Sequence, residues 1–307
     1  ILEYEPGRQL VMERMLDVEE DWFLHDHTFV HAPGIKPVSE CLPIQPMTFG
    51  IELIAEAASV LCVGKGLIGF ENIRASRWIG LMDKERQVMT IRASTVSDEA
   101  ETSIRRVEVS VEFEGVRSLS GTALFADGYR NDLHVEIAPC EDGPDWTATA
   151  FEVYDQRLMF HGPTLQVISK LDRMGNPSFD GELLVVPKNE LFRSFENPTL
   201  LTDPCLMDGV GQFLGLWLQL NDWFVLPTGL ERMEICCDTP PVGSSVPIRV
   251  ELTEFDEELK RTKCDIIVED GRGGAWIKII GWADWIFKWS PRFAGWIRNP
   301  YVVTLSD

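Results

Sequence analysis

The sequence has no cluster of basic residues. Its 28 Lys and Arg stand against 49 Asp and Glu, for a net charge of −21. Nucleic acids and anionic membrane surfaces both select for basic patches, so neither is an expected partner. No uncharged apolar run reaches the roughly 18–20 residues that a membrane span needs. No C-x-x-C occurs, and the seven cysteines (41, 62, 140, 205, 236, 237 and 264) are odd in number and scattered. That pattern reads as reduced thiols in a cytoplasmic protein, not as a disulfide framework. The opening ILEYEPGRQL has neither an initiating Met nor a signal-peptide pattern, so the expectation is a piece of something longer.

What is present is enough for a substantial core. The chain has 307 residues, 45% of them hydrophobic and 25% charged. That is ordinary for one or two globular domains. Histidine is sparse at five, yet His25, His27 and His31 fall in one stretch, LHDHTFVHAPGIKPVSECLPIQPMTFGIELIAEAA, residues 24–58. It runs from an aromatic-led His-Asp-His cluster through a Pro-rich loop into an apolar helix expected over 49–62. Pro46 precedes that helix, where a missing N–H costs little, and Gly64 and Gly66 follow it. A helix apolar on nearly every face is a buried one.

Strands are expected at 10–14, 73–81, 87–97, 104–113 and 118–126. Residues 127–148 are dense in Asp, Gly and Pro and read as a linker. The plan then repeats. A second long apolar helix, 206–220, follows Pro204. LERMEI (230–235) and SVPIRVEL (245–252) stand to it as NIRASR (72–77) and QVMTIRAS (87–94) stand to the first. Strands at 264–269 and 275–287 complete the count. The expectation is an α+β protein of two similar halves, residues 1–130 and 149–307, joined by a linker at 131–148. The late tryptophans, Trp276, Trp282, Trp285, Trp289 and Trp296, are expected to pack the sheet and the seam.

Two features could carry chemistry. Asp208, Gln212, Gly215 and Gln219 step by four, three and four along the second helix and so share one face. A carboxyl in an apolar helix should have a raised pKa, remain protonated and donate a proton, with Gln212 orienting it. The alternative is that Asp208 caps the helix start. His27 is either a base or a hydrogen-bonded structural histidine. The His25-x-His27 pair would put both rings on one side of a strand and so also admits a metal reading. His161 precedes a Gly-Pro turn that opens a strand.

Four pieces, in order, resemble the dehydratase domains of modular polyketide and related fatty-acid synthases. LHDHTFV (24–30) is similar to the family's L-x-D-H-x-V. LPIQPMTFGIELIAEAA (42–58) resembles its Pro-led central helix. FHGPTLQ (160–166) is similar to Y-G-P-x-F-Q, and DPCLMDGVGQ (203–212) to P-x-L-L-D-x-x-x-Q. The resemblance implies a double hotdog: two antiparallel sheets, each wrapped around a long helix. Carried over, His27 is the catalytic base, Asp208 the acid and Gln212 its partner, while His161 supports the site and Gly162 and Pro163 shape the wall. The implied reaction removes water from a 3-hydroxyacyl thioester on the phosphopantetheine of an acyl carrier protein, giving a trans-2-enoyl thioester. No cofactor and no metal are implied. The carrier is expected in the same polypeptide, since an acidic domain gains no long-range attraction to an acidic carrier. A homodimer is open.

There are departures from the pattern. The family has Gly four residues after its His, where this chain has His31, and the matching Pro is Pro46, after an insertion. Gly34, Pro46 and Met47 are the candidates for the thioester-binding wall. His161 replaces a Tyr, and Leu206-Met207 replaces Leu-Leu. Other readings stay open: a hotdog scaffold without activity, or an isomerase, cyclase or thioesterase on the same fold.

Overall fold

In the computed structural model of the chain, residues 1–30, 37–99, 103–141, 143–146, 149–219 and 223–290 are described. Gly34, His31 and Trp296 lie outside them. The strands are β1 (Glu3–Glu5), β2 (Gln9–Asp17), β3 (Gly66–Ala75), β4 (Arg86–Glu99), β5 (Ile104–Phe113) and β6 (Val116–Ala126), then β7 (Ile168–Met174), β8 (Ser178–Leu184), β9 (Phe224–Ile235), β10 (Ser245–Asp256), β11 (Arg261–Glu269) and β12 (Ala275–Phe287). The helices are α1 (Met47–Ser59), the short α2 (Ala150–Asp155) and α3 (Pro204–Gln219).

All twelve strands join one antiparallel sheet in the order β1-β2-β4-β5-β6-β3-β9-β12-β11-β10-β8-β7. The order reads the same from both ends: β3 corresponds to β9, β6 to β12, β5 to β11, β4 to β10, β2 to β8 and β1 to β7. The repeat expected from spacing is therefore present in the strand order. The seam is the β3–β9 pairing, and two glycines make it close. A Cβ on Gly69 (φ +153°) would lie 2.1 Å from the Met233 carbonyl oxygen, and one on Gly229 (φ +151°) 2.1 Å from that of Ile73. Only a residue without a side chain fits either place.

α1 packs on β3–β6, α3 on β7–β9, and the two helices touch each other. α1 buries Phe49, Ile51, Leu53, Ile54, Ala55, Ala57 and Ala58. α3 buries residues around most of its circumference, from Cys205 to Leu218. Both helices are apolar on nearly all faces because each has sheet on one side and its counterpart on another. Inside α1 the buried Glu52 accepts from Leu201 N (2.7 Å), Thr202 N (2.8 Å) and Thr202 Oγ1 (2.6 Å), tying α1 to the turn that enters α3. α1 stops three residues short of the expected end, where Ser59 Oγ bonds back to Glu56 O at 2.7 Å.

Several expectations shift. The strand expected at 73–81 begins earlier, at Gly66, and ends at Ala75. β8 and α2 were not expected, and β7 only as the unbounded strand that the Gly-Pro turn opens. The 131–148 segment has no helix or strand among its described residues, yet Leu133, Ile137, Cys140 and Trp146 are buried. Glu234 of β9 accepts the Leu133 N–H at 3.1 Å. The segment is a packed strap, not a solvated spacer. All seven cysteines are free thiols. No helix among the described residues is long and apolar enough to cross a membrane.

Candidate active site

The His-Asp-His cluster lies on a 3₁₀ turn, Trp22–Asp26, and not on a strand. Its three side chains therefore diverge. His25 donates from Nε2 to Val18 O at 2.8 Å, away from the site. The carboxylate of Asp26 reaches across to the second half, where it accepts from Thr164 N (2.9 Å) and Thr164 Oγ1 (2.6 Å). Gly162 N donates to Asp26 O at 2.8 Å, and a Cβ on Gly162 would meet Asp26 Oδ1 at 2.1 Å. This clamp holds the His161-Gly162-Pro163 turn against the histidine turn. It also ends the reading in which His25 and His27 share a metal.

His27 follows the turn and is tied to Ile44 twice: Ile44 N donates to His27 O at 3.1 Å, and His27 Nδ1 contacts Ile44 O at 2.6 Å. A carbonyl can only accept, so Nδ1 carries the hydrogen and Nε2 is the bare lone pair. Burial pushes the His27 pKa down, nearby His161 adds to this, and Asp208 only partly offsets it. The result is about 4, so the ring is neutral at neutral pH.

Asp203, not Asp208, caps α3: its Oδ1 accepts from Leu206 N at 3.0 Å, and its other oxygen pairs with Lys188. Asp208 stands one turn further on, and His161 Nε2 (3.1 Å) and Gln212 Nε2 (2.8 Å) both donate to its Oδ2. Gln212 gives its second N–H to Leu165 O at 2.8 Å. Its carbonyl accepts from Tyr154 OH at 2.7 Å, and that hydroxyl in turn accepts from Ile168 N at 2.9 Å. Every polar atom of Gln212 is thus directed, which fixes the Asp208 rotamer. Tyr154 and Asp26 were missed in the sequence. Asp26 was visible inside the histidine cluster, whereas Tyr154 had no motif around it.

The expected rise of the Asp208 pKa is not what the surroundings produce. Burial does push it up. The opposing pulls of His161 through charge and hydrogen bond, of His27 and of Gln212 together exceed that push and hold the carboxyl below its usual range. Sequence reasoning counted the apolar helix and omitted the imidazole from the other segment.

The rings of His27 and His161 lie 5.2 Å apart, and Phe160 stacks on His161 at 4.3 Å. Nδ1 of His161 is buried without a hydrogen-bond partner. These residues open on a cavity of about 420 Å³, whose wall also includes Pro46, Met47, Thr48, Gly162, Pro163 and Gln212. That size suits a small-molecule site. Pro46 and Met47 lie at the N-terminus of α1, and Thr48 Oγ1 is buried there without a partner. Trp282 and Trp289 line the cavity, so two of the late tryptophans do more than pack the sheet.

His27, His161 and Asp208 each offer one ligand atom, all within 4.8 Å of one another, the one grouping of three found among the described residues. Two imidazoles and a carboxylate suit a transition metal. Tetrahedral ligands about 2.0–2.1 Å from zinc lie roughly 3.4 Å apart, so a spread of up to 4.8 Å would have to contract. As it stands the trio sets a neutral His27 imidazole beside a carboxyl group that accepts from two hydrogen-bond donors.

Comparison with known proteins is consistent with this geometry. Residues 136–281 match the family model described as polyketide synthase dehydratase N-terminal domain. The matched stretch contains His161, Asp208 and Gln212 and excludes His27. Among solved structures, the dehydratase domain from the CurF module of curacin polyketide synthase is similar with a TM-score of 0.65 at 14% identity, covering 94% of this chain and 96% of that one. The CurK dehydratase domain gives 0.63 at 17%, covering 94% of each chain. GphF dehydratase 1 gives 0.63 at 14%, covering 92% of this chain and 96% of that one. No curated protein sequence matches the chain. An antiparallel sheet curled over its helices, with this likeness, defines a hotdog-type domain. The family match spans residues 136–281, a little under half of the chain.

Proposed function

We propose that this domain dehydrates a 3-hydroxyacyl thioester on an acyl carrier protein to the trans-2-enoyl thioester, with His27 as base and Asp208 as acid. The fold reading that goes with it is a double hotdog of halves 1–130 and 149–307, strapped together by 131–148. The observation that carries it is the pairing of a bare His27 Nε2 with Asp208 across one cavity, each brought there by a different half.

The thioester carbonyl lies at the N-terminus of α1, where first-turn N–H groups have no partner within the helix and the helix dipole favours negative charge. The partnerless hydroxyl of Thr48 adds a donor at that end. His27 Nε2 takes the C2 proton as the C2–C3 double bond forms and the C3–O bond breaks. The leaving hydroxyl takes its proton from Asp208 and departs as water. Asp208 must first acquire that proton from solvent, with His161 Nε2 3.1 Å away holding the carboxyl in place, and each turnover restores the balance because His27 gains from C2 the proton that Asp208 gives up. An acyl chain filling the cavity strips solvent from a carboxyl now 12% exposed. Burial moves it toward the protonated form at the moment the proton is needed. The CurK dehydratase is known in Asp-to-Asn and His-to-Phe mutants described as inactive. That supports an essential His and an essential Asp here. The reaction balances without redox chemistry or a metal.

The carrier is proposed to be tethered in the same polypeptide, because a net charge of −21 gives a free acidic carrier no electrostatic attraction. Submicromolar binding of the isolated domain to a free, unacylated carrier would count against the tether. The test of the activity is incubation with 3-hydroxyacyl thioesters on intact carrier. Appearance of the enoyl product, or hydration of the enoyl thioester in reverse, is expected. No turnover in either direction would leave a non-catalytic scaffold.

A further inference from the structure

α2, α3 and the start of β7 meet at the hydroxyl of Tyr154. The backbone settles which way each hydrogen there runs. Ile168 N can only donate, so the Tyr154 oxygen accepts from it at 2.9 Å and its own hydrogen is left to give. That hydrogen goes to Gln212 Oε1 at 2.7 Å. Leu165 O can only accept, so it takes a hydrogen from Gln212 Nε2 at 2.8 Å. These two fixed groups admit one orientation of the Gln212 amide: carbonyl toward Tyr154, NH2 toward Leu165 and Asp208. Turned over, the amide would set its oxygen against the Leu165 carbonyl and the Asp208 carboxylate. Gln212 is 2% exposed, too buried for solvent to relieve either contact.

The other end of this hydrogen-bond chain decides which oxygen of Asp208 is free. Oδ2 accepts from Gln212 Nε2 at 2.8 Å and from His161 Nε2 at 3.1 Å. Oδ1 receives no hydrogen bond from a described residue, and it is not one of the sealed polar atoms without a partner. It therefore opens on the cavity, whose wall Asp208 shares. A carboxyl group whose Oδ2 holds two N–H donors carries its acid proton on the other oxygen. Tyr154 itself supplies no proton to the reaction. Its hydrogen is committed to Gln212, and burial above all raises its pKa further from neutrality.

We propose that Tyr154 is a positioning residue for proton transfer: through Gln212 it keeps Oδ2 of Asp208 tied, so that Oδ1 delivers the proton to the leaving 3-hydroxyl. The C3–O bond breaks as the proton passes from Oδ1 to that oxygen, and the electron pair of the bond leaves with the water. The carboxylate left behind is held by the two donors already on Oδ2. The capping box of Thr149 and Glu152 fixes the six-residue α2, and with it the place of Tyr154. This rests on the dehydratase reading for the chemistry, but the relay can be tested apart from turnover.

Two readouts on the whole domain separate a relay from a structural brace. The Asp208 carboxyl is titrated by ¹³C NMR of the Asp-labelled domain, its signal assigned by its loss in Asp208→Asn. In parallel, kcat and KM are measured across pH with a 3-hydroxyacyl pantetheine thioester. Tyr154→Phe is expected to raise the Asp208 midpoint by roughly half a unit, because a loosened N–H stabilises the carboxylate less. The alkaline fall of kcat/KM should move to higher pH with it. At the optimum kcat is expected to drop on the order of tenfold, with KM within about twofold. In a Gln212→Leu background the same change should do neither, because the path is already cut. An unchanged midpoint and kcat overturn the proposal, as do effects of Tyr154→Phe that are as large without Gln212 as with it. Tyr154→Phe also leaves Ile168 N without this acceptor, so 3-fluorotyrosine at position 154 is the variant that keeps both bonds. Its more acidic hydroxyl donates more strongly and should lower the Asp208 midpoint; a midpoint that stays or rises overturns the relay too. Coupled midpoints with no turnover in any variant would leave the relay standing and sink the dehydratase reading.

Discussion

Asp26 and Thr164, 138 residues apart in sequence, are joined by two hydrogen bonds to one carboxylate oxygen, from Thr164 N at 2.9 Å and from Thr164 Oγ1 at 2.6 Å. That contact fixes the turn carrying His161 beside the turn carrying His27. It is the link by which two half-sites become one.

Asp26→Ala should therefore lower kcat without removing any reacting group. A loss of about 10–100-fold is expected, the size that a displacement of about 1 Å produces. Steady-state kinetics together with a thermal melt check this. A variant of wild-type stability and unchanged kcat would show that the clamp is dispensable.

The base should work far below neutrality. His27 is held at about 4, chiefly by burial and next by His161. The neutral ring and the protonated Asp208 are the active forms and both groups are held low, so kcat/KM should rise as pH falls toward that value and turn down below it. His161→Phe removes one of the downward pulls and should move this acid limb to higher pH. Brief assays across pH 3.5–8 read both effects. A limb near 6.5 in wild type would contradict the burial argument.

A second titration is structural. Asp284 in β12 is fully buried, neither of its carboxylate oxygens has a hydrogen-bond partner, and burial raises its pKa to about 7, with Trp282 offsetting only part of this. The folded state then binds a proton that the unfolded chain, near 3.8, has released. The sign is that this stability is complete below about pH 4 and is lost as pH rises through 7. A shift of about three units corresponds to at most about 4 kcal/mol. Asp284→Asn should abolish that share of the decline and raise stability at pH 8, as read by urea unfolding at several pH values. Equal or lower stability of the variant at pH 8 would contradict it.

The sequence allowed much of the fold and the site to be read, for identifiable reasons. α1 and α3 were readable because each is apolar on nearly every face and has a proline at its start, Pro46 just before α1 and Pro204 as the first residue of α3. β5 and β12 were located at their observed ends, although only β5 alternates along most of its length. β7 and β8 were not, because their half-buried charged residues break the period. His27, Asp208 and Gln212 came from spacing and family resemblance. The Asp208 pKa went wrong because it depends on His161, whose approach is set by the Asp26 clamp, a contact between distant segments that no local pattern encodes. Gly34 lies outside the described residues, and the proposed mechanism uses Thr48, at the N-terminus of α1, as a side chain at the thioester end.

The central claim is that His27 removes the C2 proton while Asp208 handles the C3 oxygen. Hydration of a trans-2-enoyl thioester in D₂O, followed by mass spectrometry, tests it most directly. Wild type should place one deuterium at C2 and a hydroxyl at C3. His27→Ala and Asp208→Asn should each slow this by about 10²–10⁴-fold while keeping their fold by circular dichroism. Undiminished deuterium incorporation in either variant would contradict the assignment.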